Sequence, residues 1–483
     1  MTADPPSASS PSSASRPAAT SASGDAAWRE EKDSMGPVRV PAQALWGAQT
    51  QRAVENFGFG GGGMPAAFVE ALLHIKAAAA RANEQLGLLE PPLAQAIAES
   101  ADALLADPQR MAHFPVEVFQ TGSGTSSNMN ANEVLATLAA RRLGRAVSAN
   151  DHVNFGQSSN DTIPSAIHVA AALLLERELL PALAHLALAL ENKAPTLRQH
   201  VKTGRTHLMD AMPVRFDQVL GGWRAQVQQA INGLCAVQPA VATLAQGGTA
   251  VGTGVNTHPD FAASLCALLQ KRTGIHFQPA AERFSLMGAQ DTAVQLSGQL
   301  KACAVALMKI ANDLRWMNSG PLAGLAEIEL PALQPGSSIM PGKVNPVIPE
   351  AVAMVGAQVI GNDAAITVAG QSGNFELNVM LPLVARNLLE SLQLLAAAAR
   401  ALADRAIAGF TVNETSLRAA LARNPVLVTA LNPLVGYLKA AEIAKAAYKQ
   451  GRPIIDVADE MTDLGRDKLQ ELLDPARLTE GGL

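Results

Sequence analysis

Aromatic side chains are scarce in this chain of 483 residues, at 4%, with two tyrosines and four tryptophans. Hydrophobic residues nonetheless reach 48%, and much of that share is alanine. Strands draw on β-branched and aromatic runs, whereas small residues let helices approach closely, so the composition predicts a mainly α protein. Cysteine is scarcer still. Cys235, Cys266 and Cys303 lie far apart in apolar, helix-like sequence, odd in number and without metal-ligand spacing. They read as reduced core thiols of a cytoplasmic protein, not as a disulfide framework or a metal centre. An excess of basic charge is also missing. The net charge of −5 argues against nucleic acid or an anionic membrane as partner. An anionic ligand must therefore be met by local charge and backbone donors. Uninterrupted apolar runs of membrane-spanning length are absent as well.

The first 24 residues are mostly Ser, Ala and Pro, a composition expected to stay disordered. Arg16 is the only basic residue before Arg29, Asp4 and Asp25 are acidic, and no apolar core is present. Neither a transit peptide nor a secretory signal is expected from that pattern. Order should begin near Trp28. The run Gly58 to Gly63 suggests a phosphate loop, but no Gly-Lys-Ser/Thr follows it, so a connector is expected.

Long helical patterns dominate the middle. Leu296, Leu300, Cys303, Leu307, Ile310, Leu314 and Met317 alternate spacings of four and three, a heptad rhythm that favours supercoiled packing. Leu388, Leu392, Leu395, Ala399, Leu402 and Ala406 repeat it, and a third segment from Ser165 to Lys193 is interrupted only by Pro181. After Gly409 the helices shorten, broken by Asn424-Pro425, Asn432-Pro433 and Pro453. The expected organisation is a tail over 1–27, a mixed N-terminal domain over 28–157, a central helical bundle over 158–408 and a small helical domain over 409–483.

The densest chemistry lies in Gly336 to Pro346, GSSIMPGKVNP. Gly336 and Gly342 free the backbone while Pro341 and Pro346 stop any helix. Ser337 and Ser338 offer oxygens, Lys343 a point charge for an anion, and Asn345 both a donor and an acceptor. The combination suits a small substrate bearing carboxylates. Ser123, Gly124 and Thr125, in TGSGTSSNMN, add hydroxyls and N–H groups that a following helix N-terminus would reinforce. Ser158, Ser159 and Asn160, in GQSSND, open the next long helix. Both stretches also read as ordinary helix caps.

These stretches resemble the fumarase/aspartase superfamily, and within it the class II, metal-independent fumarases. The likeness runs from about Arg29 to about Asp474. The resemblance implies a three-domain fold whose central bundles build a tetrameric twenty-helix core, and sites shared between subunits. It implies reversible hydration of fumarate to L-malate, a step of the tricarboxylic acid cycle, without metal or cofactor. His207 and Thr206 match the family's Thr-His pair, the histidine being linked to the general acid, and Glu350 matches the glutamate that pairs with it. A nearby carboxylate would orient the imidazole and favour its protonated form. Ser337 matches the base, while Ser338, Lys343, Val344 and Asn345 match substrate-binding positions.

Aspartate ammonia-lyases typically carry glutamine where His207 stands, and a neutral glutamine cannot protonate a departing hydroxyl. GTAVGTGVNTHPDF, Gly248 to Phe261, leans the same way. An aspartate ammonia-lyase is the alternative enzyme, and a catalytically inactive structural relative is the alternative of another class. Class II fumarases carry a second dicarboxylate site on a His-Pro-Asn-Asp segment. Here Ser148, Ala149, Asn150 and Asp151 occupy it; the histidine is gone, so weakened binding is expected there.

Overall fold

The computed structural model describes residues 27–481, so nearly all of the tail expected to be disordered lies outside the described residues. The ordered chain opens with a hairpin of β1 (Trp28–Asp33) and antiparallel β2 (Gly36–Pro41). Helices α1 (Ala48–Asn56), α2 (Ala66–Gln85), α3 (Pro91–Ala106) and α4 (Thr125–Leu143) follow. Pro91 and Pro92 sit in the first turn of α3, where the missing N–H groups would have had no helical partner. The glycine run between α1 and α2 is a connector held by the protein itself. Its Gly60 and Gly61 amides donate to the Glu117 carboxylate at 3.0 and 3.2 Å.

Five long rods form the centre. α5 (Ser159–Leu174) passes through a π-turn at Leu175–Leu179 into α6 (Leu180–Lys193). Pro181 explains the widened turn: it lacks an N–H, and its ring would collide with the Arg177 carbonyl in a regular helix. The hairpin β3 (Val201–Thr206) and β4 (Met209–Arg215) leads into α7 (Phe216–Val241). Shorter α8 (Phe261–Thr273) and α9 (Phe284–Gly288) precede α10 (Asp291–Met317), α11 (Val347–Gly370) and α12 (Leu381–Leu402). α10 packs along α7, α11 and α12, and α12 also packs along α5 and α6. Every heptad position named on α10 and α12 is buried, Ala406 just beyond α12 included.

α11 is long and apolar enough to cross a membrane by length and composition. Its polar residues instead bind the bundle. Asp363 accepts from Ser297 at 2.8 Å and Lys301 at 2.6 Å, and Asn362 donates to Glu390 at 2.9 Å and Ser391 at 3.1 Å. The face opposite them leaves Met354, Ile360 and Val368 exposed.

The thiols divide. Cys266 and Cys303 are buried, and burial pushes both up to about 12. Cys235 is exposed, against expectation, because its neighbours Leu234 and Val237 take the inward face of α7. The last part of the chain holds α13 (Glu414–Arg423), α14 (Asn432–Val435), α15 (Tyr437–Gln450), α16 (Ile454–Met461) and α17 (Arg466–Leu472). Leu417 of α13 still belongs to the main core, and a separate core begins only at Leu427 and runs to Leu473.

Leu307, in the α10 seam, is 1% exposed. Leu307→Ala should cost about 2–5 kcal/mol of stability, read as a lower denaturant midpoint. An unchanged midpoint would show that the seam does not hold the bundle.

Candidate active site

The four sequence clusters and Glu350 do not meet in one protomer. The stretches around Ser123 and Ser158 lie side by side at one end of the bundle. Gly124 takes φ 73° as the N-cap of α4, and a Cβ there would come within 2.9 Å of Ile163 on α5. No other residue fits so close a crossing with that backbone. Asn128 donates to the Ser159 hydroxyl at 3.1 Å, and the Ser123 and Thr125 hydroxyls are 2.8 Å apart. The start of α12 closes this end, with the Leu381 amide donating to the Gly122 carbonyl at 2.9 Å.

Ser158 is a helix cap as well as a candidate ligand. Its hydroxyl accepts from the Asn160 amide at 3.2 Å, and Asp161 accepts from the Ser158 amide at 2.9 Å. Asp161 was not legible as important in the sequence. Fully buried, it also receives the Gly247 and Thr249 amides at 3.0 and 2.8 Å, tying the Gly248 loop to α5. Desolvation raises its pKa to about 6 despite those donors. Asn160 completes the link by donating to the Ala250 carbonyl at 2.8 Å.

The other groups lie at the opposite end. α10 runs from the first end to the second, and its 27 residues span about 40 Å. Its last residue, Met317, accepts from the Glu327 amide at 2.8 Å. Glu327 is 2% exposed and accepts from Arg205 at 2.7 Å, while the Lys202 ammonium approaches at 3.2 Å. Burial lowers the Lys202 pKa, and the Glu327 charge opposes that shift. This buried cluster, also missed in the sequence, fixes the hairpin that carries Thr206 and His207.

His207 and Leu208 form the two-residue turn between β3 and β4, at φ 57° and 61°. Hairpin turns of this kind favour Asn-Gly, so the two side chains hold a conformation costing about 1–3 kcal/mol each. Both are exposed at the tip.

The Gly336–Pro346 loop folds on itself. The Gly336 amide donates to the Lys343 carbonyl at 2.7 Å, and Asn345 donates to the Gly336 carbonyl at 2.8 Å. A Cβ at Gly336 would sit 2.5 Å from the Lys343 oxygen, which accounts for glycine there. The Ser337 hydroxyl oxygen accepts from the Ile339 and Met340 amides at 3.2 and 3.0 Å. Ser338 is exposed beside it. Lys343, Val344, Asn345 and Glu350 line a cavity of about 1040 Å³ together with Asn318 and Arg315. Within the protomer the side chains of His207, Lys343 and Glu350 make no hydrogen bond or ion pair with other described residues.

After α4, Ser148 caps a single π-turn, Ala149–Val153, that contains Ala149, Asn150 and Asp151. The Ser148 hydroxyl donates to the Asp151 carboxylate at 2.8 Å and accepts from its amide at 3.0 Å, so these groups occupy one another.

The family model described as lyase matches residues 36–361, and that described as fumarase C C-terminus matches 427–480. A class II fumarate hydratase of Pseudomonas aeruginosa is 68% identical over 94% of this chain and 99% of its own. That of Mycobacterium tuberculosis is 53% identical over 88% and 90%. Among solved structures, a class II fumarase from Schistosoma mansoni superposes with a TM-score of 0.91 at 37% identity, over 94% of this chain and 99% of the other. A fumarate lyase:delta crystallin protein from Brucella melitensis gives 0.89 at 41%, over 94% and 100%. The family models that match and the identities over nearly the whole chain place it among the lyases of the class II fumarate hydratase family.

Proposed function

We propose that the chain interconverts L-malate and fumarate as a homotetramer whose sites each draw on more than one protomer. The observation that carries the chemistry is the Ser337 oxygen receiving two backbone N–H groups. Serine is a poor base at its ordinary pKa, and two amides aimed at the oxygen favour its alkoxide. That oxygen takes the C3 proton of malate. The electron pair left behind delocalises into the neighbouring carboxylate, giving an aci-carboxylate dianion. Lys343 and Asn345 stabilise it, with N–H and hydroxyl groups from Ser123–Thr125 and Ser158–Asn160. Collapse of the dianion forms the C2–C3 double bond and expels the C2 hydroxyl, which leaves as water with a proton from His207. Glu350 orients that imidazole.

Two features support assembly. The Ser123 and Ser158 loops stand a bundle length from Ser337, Lys343 and His207, so one copy cannot surround a substrate of a few ångströms. The exposed apolar stripe on α11 offers a surface that another copy can cover.

Ultraviolet absorbance should rise on mixing the protein with L-malate and stay flat with L-aspartate; a rise with aspartate alone would move the chain to the ammonia-lyases. Ser337→Ala should lose several orders of magnitude in kcat, each tenfold being about 1.4 kcal/mol of barrier. Near-native turnover would remove Ser337 as the base. Lys343→Met should damage KM and kcat together, since the charge serves substrate and intermediate alike. Glu327→Gln leaves Arg205 and Lys202 without their carboxylate and should cost about 3–5 kcal/mol in a denaturation experiment.

A further inference from the structure

Lys76 lies on α2, outside every motif discussed so far, with none of its surface exposed. Its ammonium donates to Asn154 Oδ1 and Gln157 Oε1, both at 3.0 Å. The same Asn154 oxygen accepts from Asn128 at 3.2 Å and Asn132 at 3.1 Å, both on α4. Asn128 in turn donates to Ser159. Asn154 also donates to the Gln157 carbonyl at 3.1 Å, in the residue directly before Ser158. One buried amine thus feeds a network centred on the Asn154 oxygen, which joins the first turn of α4 to the loop that opens α5. Asp161 is the charged group that bears on it; its other partners are neutral amides.

We propose that Lys76 is a positioning residue for substrate binding, holding the Ser123–Thr125 and Ser158–Asn160 loops in the one arrangement that receives a substrate carboxylate. The reasoning is one of cost and strength. Burying an ammonium disfavours the folded state, and here burial pushes Lys76 down to about 7. A neutral side chain would fill the same space among α2, α4 and α5 without that cost. In its protonated form, however, the donor makes hydrogen bonds roughly twice as strong as neutral ones, and two of them end on the residues that set the loop before Ser158. The third link, through Asn128, carries the constraint to α4. The role rests on the reading of these loops as carboxylate-binding.

Lys76→Met keeps an unbranched side chain, one atom shorter, and removes the charge. Calorimetric titration of the assembled protein with succinate, a saturated dicarboxylate, reads binding apart from turnover. Fumarate kinetics on the same samples read both. The expected result is a Kd for succinate and a KM for fumarate raised about tenfold or more, with kcat changed far less. A folded Lys76→Met protein with native Kd and KM overturns the proposal, as does a fall in kcat alone, which would mean a smaller active fraction. Should Lys76→Met fail to assemble, Gln157→Leu removes one acceptor and leaves the lysine; it should raise the same two constants, and unchanged values overturn the proposal. Native protein that binds succinate but does not hydrate fumarate would sink the proposed reaction and leave the succinate comparison to decide the role of Lys76. Native protein that binds no succinate would overturn both.

Discussion

Close packing of small residues along the bundle is the constraint on which the rest of the molecule depends. Gly356 on α11 shows its tightness: a Cβ there would lie 2.2 Å from Met308 on α10. Helices that approach this closely, with apolar seams at heptad spacing, form stiff rods with little freedom to bend. Stiffness fixes the distance between the two ends. The loops proposed to bind carboxylate begin helices at one end, and the residues proposed to move protons occupy a hairpin and a loop at the other. A flexible scaffold could fold them together; this one holds them apart, and the proposed site therefore draws on more than one copy.

The two ends manage their polar groups differently. At the α4–α5 end, hydroxyls and amides are pinned by neighbours, and helix N-termini supply donors without a net charge. At the opposite end, the side chains of His207, Lys343 and Glu350 make no hydrogen bond or ion pair with other described residues. The strained turn at His207 and Leu208 belongs to that second pattern. Strain and unpaired charge are costs to an isolated subunit, and both are concentrated where the proposed proton transfer takes place.

Buried ions hold the loops in place. Glu327 anchors the hairpin, Asp161 anchors the Gly248 loop, and Lys76 holds the Asn154–Gln157 stretch between α4 and α5. Each is expensive to bury, and each is surrounded by donors or acceptors that use its charge. Three loops that would otherwise be free to shift are thereby fixed at atomic distances.

Local sequence determined the helical class, the heptad seams of α10 and α12, and the chemical groups of the Ser123, Ser158 and Gly336 loops. These depend on residue type and spacing over a few turns, which the chain carries without tertiary help. The π-turn before Pro181 was foreshadowed in the same way, since proline removes a donor wherever it stands. Tertiary structure alone decided that Cys235 faces outward, that the separate C-terminal core starts at Leu427, and that Lys76, Asp161 and Glu327 are buried. A lone Lys, Asp or Glu looks the same in sequence whether solvated or central. Only the fold, too, placed the chemical groups at opposite ends of the bundle, because helix direction and length set where a loop emerges, and neither is written in the loop.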